Sequence, residues 1–249
     1  MYYCCGITDK GIEKHNEDSM LIGRYVTSQG SYEQKLNAPF ISAVADGVSN
    51  ELSGEMASKL CLELVRNIES AKCTNLEKNL MEVHKNLAKF GRENTDFYNM
   101  QSTLCGIAVD KEENVYSFNS GDSRLYLFHD GNIRQITRDQ SLVQLMYEEG
   151  TISFAQKKNH VHKNIIFPAF GNLKSDPKTD IIQIDRISYG DILLLCTDGL
   201  SDYLSTSDMQ DILELPKSLP VRLEMLVKLA VEKKSHDNIT AVAVVYTEK

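Results

Sequence analysis

Hydrophobic residues recur along the chain in many short runs, and most of these runs have the length and composition of β-strands. They are bounded by glycine or by clusters of polar residues. Two segments predict tight turns between strands: residues 110–114 and Asp130-Gly131, a dipeptide that adopts positive φ at low cost. The predicted strands are residues 3–8, 19–25, 40–45, 103–109, 114–120, 125–129, 180–184, 192–196 and 239–246.

A helical period is clearest in residues 54–68, where Met56, Leu60 and Leu64 recur every four positions. Ser53 is expected to cap this helix, because its hydroxyl can accept a hydrogen bond from a first-turn N–H group. Weaker helical patterns cover residues 76–90, 141–149, 207–213 and 221–232. These helices interrupt a series of hairpins without the strict alternation typical of a parallel sheet. The pattern predicts an α+β fold of antiparallel sheets with helices packed outside.

The length and charge of the chain narrow the classes of function. Its 249 residues are near the upper limit of one hydrophobic core, so a single domain is expected. Acidic residues outnumber basic ones, 35 to 27, and the formal net charge of −8 argues against a nucleic-acid partner. The longest unbroken apolar run, residues 241–246, is far shorter than the ~20 residues that span a bilayer. We therefore expect neither nucleic acid nor membrane as a partner.

The cysteines and the first residues of the chain indicate its compartment. The six cysteines form no C-x-x-C pair and no dense framework, which favours free thiols in a reducing environment. The first residues lack the basic stretch and long apolar run of a signal peptide. The sequence therefore predicts a cytoplasmic protein.

Acidic residues stand where the predicted strands begin and end. Two apolar runs lead directly into Asp-Gly dipeptides, at Asp46 and at Asp198. Asp237 precedes the last strand, and the pair Glu17-Asp18 precedes the second. Neighbouring strand ends would gather these carboxylates at one edge, where they repel one another unless a cation is present. Mg²⁺ and Mn²⁺ take oxygen ligands of this kind.

Each of these segments also has a purely structural interpretation. Asp-Gly is among the commonest turn dipeptides, and Asp237-Asn238 before a strand is an ordinary turn. Glycine after the aspartate is equally what a metal site needs when the backbone must approach closely. The pattern alone leaves both interpretations open.

The order of the segments resembles one known family. The chain is similar to the metal-dependent Ser/Thr protein phosphatases of the PPM type (type 2C), particularly the compact bacterial kind. The segments that carry the resemblance are residues 11–19, 44–48, 54–58, 102–104, 120–124, 136–142, 169–171, 190–200 and 237–240. Nine segments in the family's order make a chance resemblance improbable.

The resemblance implies a fold and an activity. The implied fold is a four-layer α-β-β-α sandwich, two antiparallel sheets flanked by helices, in one phosphatase domain of residues 1–249. The implied reaction is hydrolysis of phosphoserine and phosphothreonine in proteins by a water or hydroxide that bridges two metal ions. The implied partners are phosphoprotein substrates, and the chain is expected to be a monomer.

The resemblance also implies a set of ligands. Asp46 would bridge two Mn²⁺ or Mg²⁺ ions, and Gly47 would offer its carbonyl to one of them. Asp198 and Asp237 would hold one ion, and Glu17 and Asp18 would act near the other. Asp122 matches an aspartate that helps to hold a third ion in bacterial members. Asp46 and Asp18 are thereby expected to be catalytic, whereas Asp191, in a similar Gly-Asp pair, is expected to form only a turn.

The chain departs from the family in the groups that would handle phosphate and protons. Lys14 is the cation nearest to the position of the family's phosphate-binding arginine, and its ammonium cannot make a bidentate fork. We expect Lys14 either to bind phosphate or to be a solvated surface lysine. Val48 stands where many eukaryotic members have a histidine, so a metal-bound water is the expected acid, with His15 as a weaker candidate.

Further departures affect loops near the expected metals. Ser49-Asn50 replaces a glycine pair, Gln101 replaces a glycine, and Gln140 replaces a frequent histidine at a position expected to be structural. Residues 147–168 correspond to the family's mobile segment, here called the flap. Its cationic and histidine residues are expected to be a solvated face or to attract acidic phosphopeptides; they are Lys157, Lys158, His160, His162 and Lys163.

Two alternatives to an active protein phosphatase remain at this stage. One is a pseudophosphatase that binds phosphoproteins without turnover, consistent with the missing arginine and the altered loop after Gly47. The other is a dinuclear metallohydrolase that acts on small phosphate esters. A panel of phosphopeptides and small esters separates the three.

Overall fold

The structure is a computed structural model that describes residues 1–48, 51–69, 73–158, 160–185 and 187–247. The predicted departure at Ser49-Asn50 lies outside the described residues. In the described part of the chain, twelve strands form two six-stranded sheets in which every pairing is antiparallel.

The first sheet contains both the first and the last strand of the fold. Its members are β1 (Tyr2–Asp9), β4 (Gly30–Leu36), β8 (Arg124–His129), β9 (Asn132–Gln135), β11 (Ile192–Cys196) and β12 (Ile239–Tyr246). They lie in the order β4-β1-β12-β11-β8-β9. The two central strands, β12 and β11, are almost wholly buried, as their continuous apolar sequences predict.

The second sheet is built from the middle of the chain. Its members are β2 (Asp18–Ile22), β3 (Tyr25–Thr27), β5 (Phe40–Asp46), β6 (Leu104–Val109), β7 (Val115–Ser120) and β10 (Asp180–Ile184). They lie in the order β10-β7-β6-β5-β2-β3. Asp18 and Asp46 are thus at the ends of two adjacent strands.

Helices cover the outer face of each sheet. They are α1 (Glu51–Val65), α2 (Leu76–Glu93), α3 (Leu142–Glu148), α4 (Phe154–Lys158), α5 (Asp198–Ser201), α6 (Thr206–Leu213) and α7 (Leu219–Glu232). Helix α1 packs on β2 and β5 of the second sheet, with α2 beside it, and α7 packs on β1 and β12 of the first. The predicted four-layer sandwich is confirmed.

Buried side chains fill each of the three spaces between layers. Met20, Val44 and Val242 lie between the two sheets. Leu62 belongs to the core between α1, α2 and the second sheet, and Leu226 to the core between the first sheet and α7. Burial of each such side chain stabilises the fold by about 1.5–3 kcal/mol. The core between the sheets therefore joins the two sheets, and the outer cores join each sheet to its helices.

Three features differ from the sequence predictions. Strands β4 and β9 were not predicted, because both are edge strands with mostly exposed polar side chains and show little alternation. The predicted strand 19–25 divides into β2 and β3 at Gly23, whose φ is +61°. The predicted cap at Ser53 is wrong: the helix begins at Glu51, and the Ser53 hydroxyl donates to the carbonyl of Asp96 at 3.1 Å.

The two predicted turns form as expected. Asp130 and Gly131 have φ of 46° and 71° in the β8–β9 hairpin. In the β6–β7 turn, Asp110 Oδ1 accepts the N–H groups of Glu112 and Asn114. In the described residues, no helix has the length and apolar character needed to cross a membrane.

Candidate active site

Asp18 and Asp46 lie opposite each other at one end of the second sheet. Asp18 begins β2, Asp46 ends β5, and the antiparallel ladder pairs them directly. Thr103 holds the Asp46 backbone from the other side: its N–H donates to the Asp46 carbonyl at 2.8 Å, and its hydroxyl accepts the Asp46 N–H at 3.0 Å. Because paired residues project to the same face of a sheet, the ladder brings both carboxylates to one edge.

The first sheet contributes two further carboxylates. Asp198 is the first residue of α5, directly after β11, and Asp237 precedes β12, the strand paired with β11. Thr197 links the two sheets, because its hydroxyl donates to Asp18 Oδ2 at 2.7 Å and accepts the N–H of Thr240 at 3.1 Å. Strand ends from both sheets therefore meet at this edge.

Three aspartates at this edge, Asp18, Asp46 and Asp198, have raised pKa values. Burial, followed by the negative charges of Asp18 and Asp198, raises the pKa of Asp46 well above its ordinary value. Burial also raises the pKa of Asp18, to about 7, although the Thr197 hydroxyl works in the opposite direction. The pKa of Asp198 is raised in the same way, by burial and by neighbouring aspartates. Such a group of like charges is stable in its ionised form only beside a positive charge.

One oxygen of the cluster lacks any partner. Asp198 Oδ1 is buried and accepts no hydrogen bond. An unsatisfied buried carboxylate oxygen is costly, and a metal ion is one of the few partners that removes the cost. The donor set is made wholly of oxygen atoms, which suits Mg²⁺ or Mn²⁺. The residues present therefore fit a divalent cation.

The described residues do not form a closed ligand cage. No three His, Cys, Asp or Glu side chains among them converge closely enough to be a complete metal-binding set. Water would have to complete the coordination, as is usual for Mg²⁺, which keeps several of its water ligands in proteins.

Asn238 joins the last strand to the loop that precedes β2. Its Oδ1 accepts the N–H of Glu17 at 2.7 Å, and its amide donates to the carbonyls of Lys10 and His15, both at 2.9 Å. Asn238 is 4% exposed, so these bonds are protected from water. They fix Glu17 beside Asp237, the neighbour of Asn238 in the sequence.

The glycines after Asp46 and Asp198 are required by close packing of the backbone. A Cβ atom at Gly47 would lie 2.1 Å from the carbonyl oxygen of Gly54, and one at Gly199 would lie 1.9 Å from that of Asn238. A Cβ at Gly54 would in turn lie 1.8 Å from Glu17 Oε2. Neither Gly47 nor Gly199 has the positive φ of a tight turn. Close backbone packing at this edge, rather than turn geometry, therefore explains why Gly47 and Gly199 are glycines.

Asp122 lies beside an ion-pair network. Arg124 binds Asp139 through two hydrogen bonds, of 2.9 and 2.8 Å, and also donates to Asp202 Oδ1 at 3.0 Å and to the Ser201 carbonyl at 2.9 Å. Burial and the charges of Asp139 and Asp202 raise the pKa of Asp122 to about 7, although Arg124 opposes this. Since Asp202 directly follows α5, Arg124 connects the Asp122 segment with the helix that begins at Asp198.

Comparison with known proteins identifies the family of this fold and site. Residues 26–230 match the family model described as protein phosphatase 2C. The chain belongs to the protein phosphatase 2C family. It is 32% identical over 248 residues to the serine/threonine phosphatase stp of Listeria welshimeri, with 95% of this chain and 93% of the relative covered. The predicted enzyme class, a protein serine/threonine phosphatase, is confirmed.

Solved structures agree with this assignment. The serine/threonine phosphatase PstP/Ppp of Mycobacterium tuberculosis superposes with a TM-score of 0.82, at 25% identity, over 100% of both chains. A second structure, the catalytic domain of PstP in complex with two manganese ions, superposes with a TM-score of 0.80, also at 25% identity over 100% of both chains. The predicted PPM-type architecture is thereby confirmed.

The groups predicted to handle phosphate and protons lie at the rim of the phosphatase site. Lys14 is exposed and lines a cleft beside the loop that ends at Glu17. His15 Nδ1 is 3.8 Å from Glu55 Oε2, and Val48 is 40% exposed. The roles assigned to Lys14 and His15 stay predictions.

Asp191 has the structural role that the sequence predicts. Its Oδ2 accepts the N–H of Ser188 at 2.8 Å, and its Oδ1 is hydrogen-bonded to His129 Nδ1 at 2.7 Å. Both bonds shape the turn before β11. Asp191 thus resembles Asp122 only in following a glycine.

Gln140 is also structural, because it joins the Asp122 segment to the ends of the flap. Its N–H donates to the carbonyl of Gly121 at 2.8 Å, and its side-chain oxygen accepts the Gly121 N–H at 3.3 Å. Its own carbonyl accepts the N–H of Phe167 at 2.9 Å. Gln140 is therefore structural because it is hydrogen-bonded both to Gly121 and to Phe167.

Lys157 of the flap is less open to solvent than its charged sequence predicts. Lys157 donates to Asp139 Oδ2 at 2.9 Å and to Gln144, and its side chain is only 15% exposed. These contacts therefore fix the Lys157 side chain. His160, His162 and Lys163 lie in the following turn. The side chain of Lys158 lies outside the described part of the structure.

Sequence reasoning missed the residues that position the acids. Thr197 and Asn238 stand beside aspartates that the pattern singled out, yet they were assigned no contacts. A threonine or asparagine next to each strand-end aspartate was the available signal. It is a weak one, since both residues are also common in turns.

Proposed function

We propose that this phosphatase hydrolyses phosphoserine and phosphothreonine residues of proteins with the aid of two Mn²⁺ or Mg²⁺ ions. The observation that supports the proposal is the cluster of Asp18, Asp46 and Asp198 at the strand ends. Burial and mutual repulsion oppose ionisation of all three, and Asp198 Oδ1 has no hydrogen-bond partner. Bound cations would remove both costs.

We assign the ligands by the sequence resemblance together with this placement. Asp46 would be shared by both ions, with the Gly47 carbonyl beside it. Asp198 and Asp237 would complete one site, and Glu17 and Asp18 the other, while Asp122 would hold a third ion. When bound, the cations supply Lewis acidity: they neutralise phosphate charge and lower the pKa of the attacking water.

The protein's own residues orient these groups. The Thr197 hydroxyl donates to Asp18 and so favours its ionised form. Asn238 holds Glu17 and the loop that carries Lys14, so that both walls of the site keep a fixed spacing. Lys14 is proposed to bind the substrate phosphate as a point charge, with less directional preference than an arginine.

The remaining proposals concern the molecule as a whole. Residues 1–249 are proposed to form a single phosphatase domain that acts as a monomer. A cytoplasmic location is proposed because all six cysteines are free thiols, five of them buried, as is typical in a reducing compartment.

The test compares hydrolysis of a phosphothreonine peptide and of p-nitrophenyl phosphate with Mn²⁺ and with EDTA. The wild-type enzyme is expected to need Mn²⁺ for both substrates, and Asp198→Asn to lose both activities. Asp191→Asn is the matched control, because it makes the same change at the other end of β11, in a turn that lies outside the site. Equal activity in EDTA, or full activity of Asp198→Asn, would overturn the proposal.

The same assay decides between the alternatives. Mn²⁺ binding with no hydrolysis of any substrate would identify a pseudophosphatase. Clear preference for small phosphate esters over every phosphopeptide would identify a small-molecule phosphatase. The retained acids at all predicted positions favour the active protein phosphatase.

A further inference from the structure

A cleft lined by lysines lies beside the acidic centre. It has a volume of about 590 Å³, within the range of ligand-binding clefts. Lys10 and Lys14 line it from the loop between β1 and β2, and Lys59 lines it from α1. The opposite wall is the β3–β4 hairpin, residues 26–30. We call this feature the lysine cleft.

The lysine cleft carries more basic than acidic side chains. In the described part of the chain, Lys10, Lys14 and Lys59 make no ion pair. Two carboxylates also line the cleft: Asp9 Oδ1 accepts the N–H of Gly11 at 2.8 Å, and Glu55 Oε2 is 3.8 Å from His15 Nδ1. Three ammonium groups against two carboxylates leave the lining with a small excess of positive charge, in a chain of net charge −8.

Two walls of the lysine cleft continue directly into the acidic centre. On one wall, Asn16 lines the cleft and the next residue is Glu17. On the other, Glu55 lines the cleft and its neighbour Gly54 packs against both Glu17 and Gly47. A substrate residue that binds in the cleft would therefore be a near neighbour, in the substrate's sequence, of the residue at the acidic centre.

The loop between these two regions is rigidly held. Asn238 donates to the carbonyls of Lys10 and His15, and Asn16 donates to Thr8 Oγ1 at 2.9 Å and to the Ser28 carbonyl at 2.7 Å. These bonds tie the loop to β12, to β1 and to the hairpin. The backbone that presents Lys10 and Lys14 therefore has a fixed position relative to the acids.

We propose that the lysine cleft, through Lys10 and Lys59, binds a second anionic group of the phosphoprotein substrate, close in sequence to the phosphorylated residue whose phosphate Lys14 binds. The group is a carboxylate of an acidic side chain or a second phosphate, since both are anions that an ammonium recognises as a point charge. This inference rests on the proposed protein phosphatase activity and adds the class of protein that is preferred, one with acidic or multiply phosphorylated sites.

The expected contributions of Lys10 and Lys59 are modest, because both side chains are exposed to solvent. Removing one should lower kcat/KM for an acidic substrate roughly two- to five-fold, as expected for exposed ion pairs. Salt screens such interactions, so the preference should weaken as ionic strength rises. Charge reversal replaces attraction by repulsion and should have the larger effect.

The experiment uses three phosphothreonine peptides of equal length. One has neutral flanking residues, one has glutamates on both sides, and one has a nearby second phosphoserine. Wild-type enzyme is compared with Lys59→Ala and Lys59→Glu, and with Lys78→Ala as a matched control, because Lys78 is an exposed helical lysine outside the cleft. Lys14 is not used, since it has a proposed role at the substrate phosphate.

Wild-type enzyme should prefer the two anionic peptides, and Lys59→Glu should remove this preference while hydrolysis of p-nitrophenyl phosphate stays at the wild-type rate. The two anionic peptides show whether the cleft takes carboxylate, phosphate or both. Equal kcat/KM for all three peptides, or a preference that survives in Lys59→Glu, would overturn the inference. Failure of the wild-type enzyme on every substrate would instead contradict the proposed function.

Discussion

The acidic centre and the flap lie side by side but are built on different principles. The acids stand at the ends of buried strands, where the ladder between β2 and β5 pairs Asp18 with Asp46. The flap has short helices and side chains that face solvent: Phe154 is 72% exposed and Val161 87% exposed. It is attached near its end by backbone hydrogen bonds, such as that of Phe167 with Gln140, and through the side-chain contact of Lys157 with Asp139.

This difference separates the effects of mutation in the two regions. Backbone hydrogen bonds position the acids, so a changed carboxylate alters chemistry and leaves the fold intact. In the flap, the ion pair of Lys157 with Asp139 adds to the backbone bonds at one end, so a changed ion pair alters stability and the placement of the segment. Variants in the two regions test this contrast.

The largest effect is expected from Asp46→Asn. It should lower kcat/KM for a phosphothreonine peptide on the order of a thousandfold, because it removes the charge that both ions would share. In EDTA the same variant should have a higher free energy of unfolding than wild type, because one buried member of a repelling group is neutralised. Steady-state kinetics and urea unfolding measure the two effects. A stable, fully active variant would place the catalytic acids elsewhere.

Asp139→Ala should give the largest loss of stability. It leaves Arg124 and Lys157 without their shared acceptor, and removing one partner of a buried pair costs about 3–5 kcal/mol of unfolding free energy. Glu148→Gln is the control: it removes the carboxylate that binds Arg138 at the surface and should cost about 0–1 kcal/mol. Equal losses of unfolding free energy in the two variants, measured with urea, would show that the buried network stabilises the protein no more than the surface ion pair does.

Asn238→Ala tests whether the loop before β2 needs its anchor. The variant loses the bonds to Glu17, Lys10 and His15, and kcat/KM should fall roughly 10- to 100-fold, as for residues that orient metal ligands. The Mn²⁺ concentration for half-maximal activity should rise as well. An unchanged Mn²⁺ requirement would mean that Glu17 keeps its place without Asn238.

The smallest effect is a pH dependence at the end of the flap. His84 is buried, its Nδ1 accepts the N–H of Gly171 at 3.1 Å, and burial lowers its pKa. The unfolded chain therefore binds a proton more readily than the folded protein, so stability should fall as pH drops below about 6.5, by at most about 1.4 kcal/mol per pH unit. His84→Asn should show a weaker slope in urea unfolding.

His129 provides a control of opposite sign. Its hydrogen bond to Asp191 raises its pKa, so its contribution to stability is present at low pH and is lost as pH rises above the ordinary histidine value. His129→Gln should therefore change stability mainly below that value. The same slope in both variants would contradict the assigned environments.

The sequence predicts the central parts of the fold better than the edges. β11 and β12 are continuous apolar runs because both of their faces are covered, and their predicted bounds match the structure. β4 and β9 escaped prediction because their positions depend on pairing with one neighbour rather than on their own pattern. Local pattern cannot report a strand whose stabilising contacts are distant in sequence.

The same limit applies to the candidate site. The Asp-Gly segments could be found because a buried strand that ends in an acid is locally visible. The Thr197 contact with Asp18 spans 179 positions, and that of Asn238 with Glu17 spans 221. Lys157 was predicted to be solvated or to attract substrate, but it binds Asp139, since flap placement is decided by tertiary contacts.

The most direct test of the account is whether a divalent cation stabilises the protein through the strand-end acids. Thermal unfolding is measured in EDTA and with increasing Mn²⁺, for wild type and for the double variant Asp46→Asn, Asp198→Asn. The account predicts that the wild-type midpoint rises by roughly 5–10 °C at a hundredfold excess over Kd, and that the double variant does not respond. An identical wild-type midpoint in EDTA and in Mn²⁺ would contradict it.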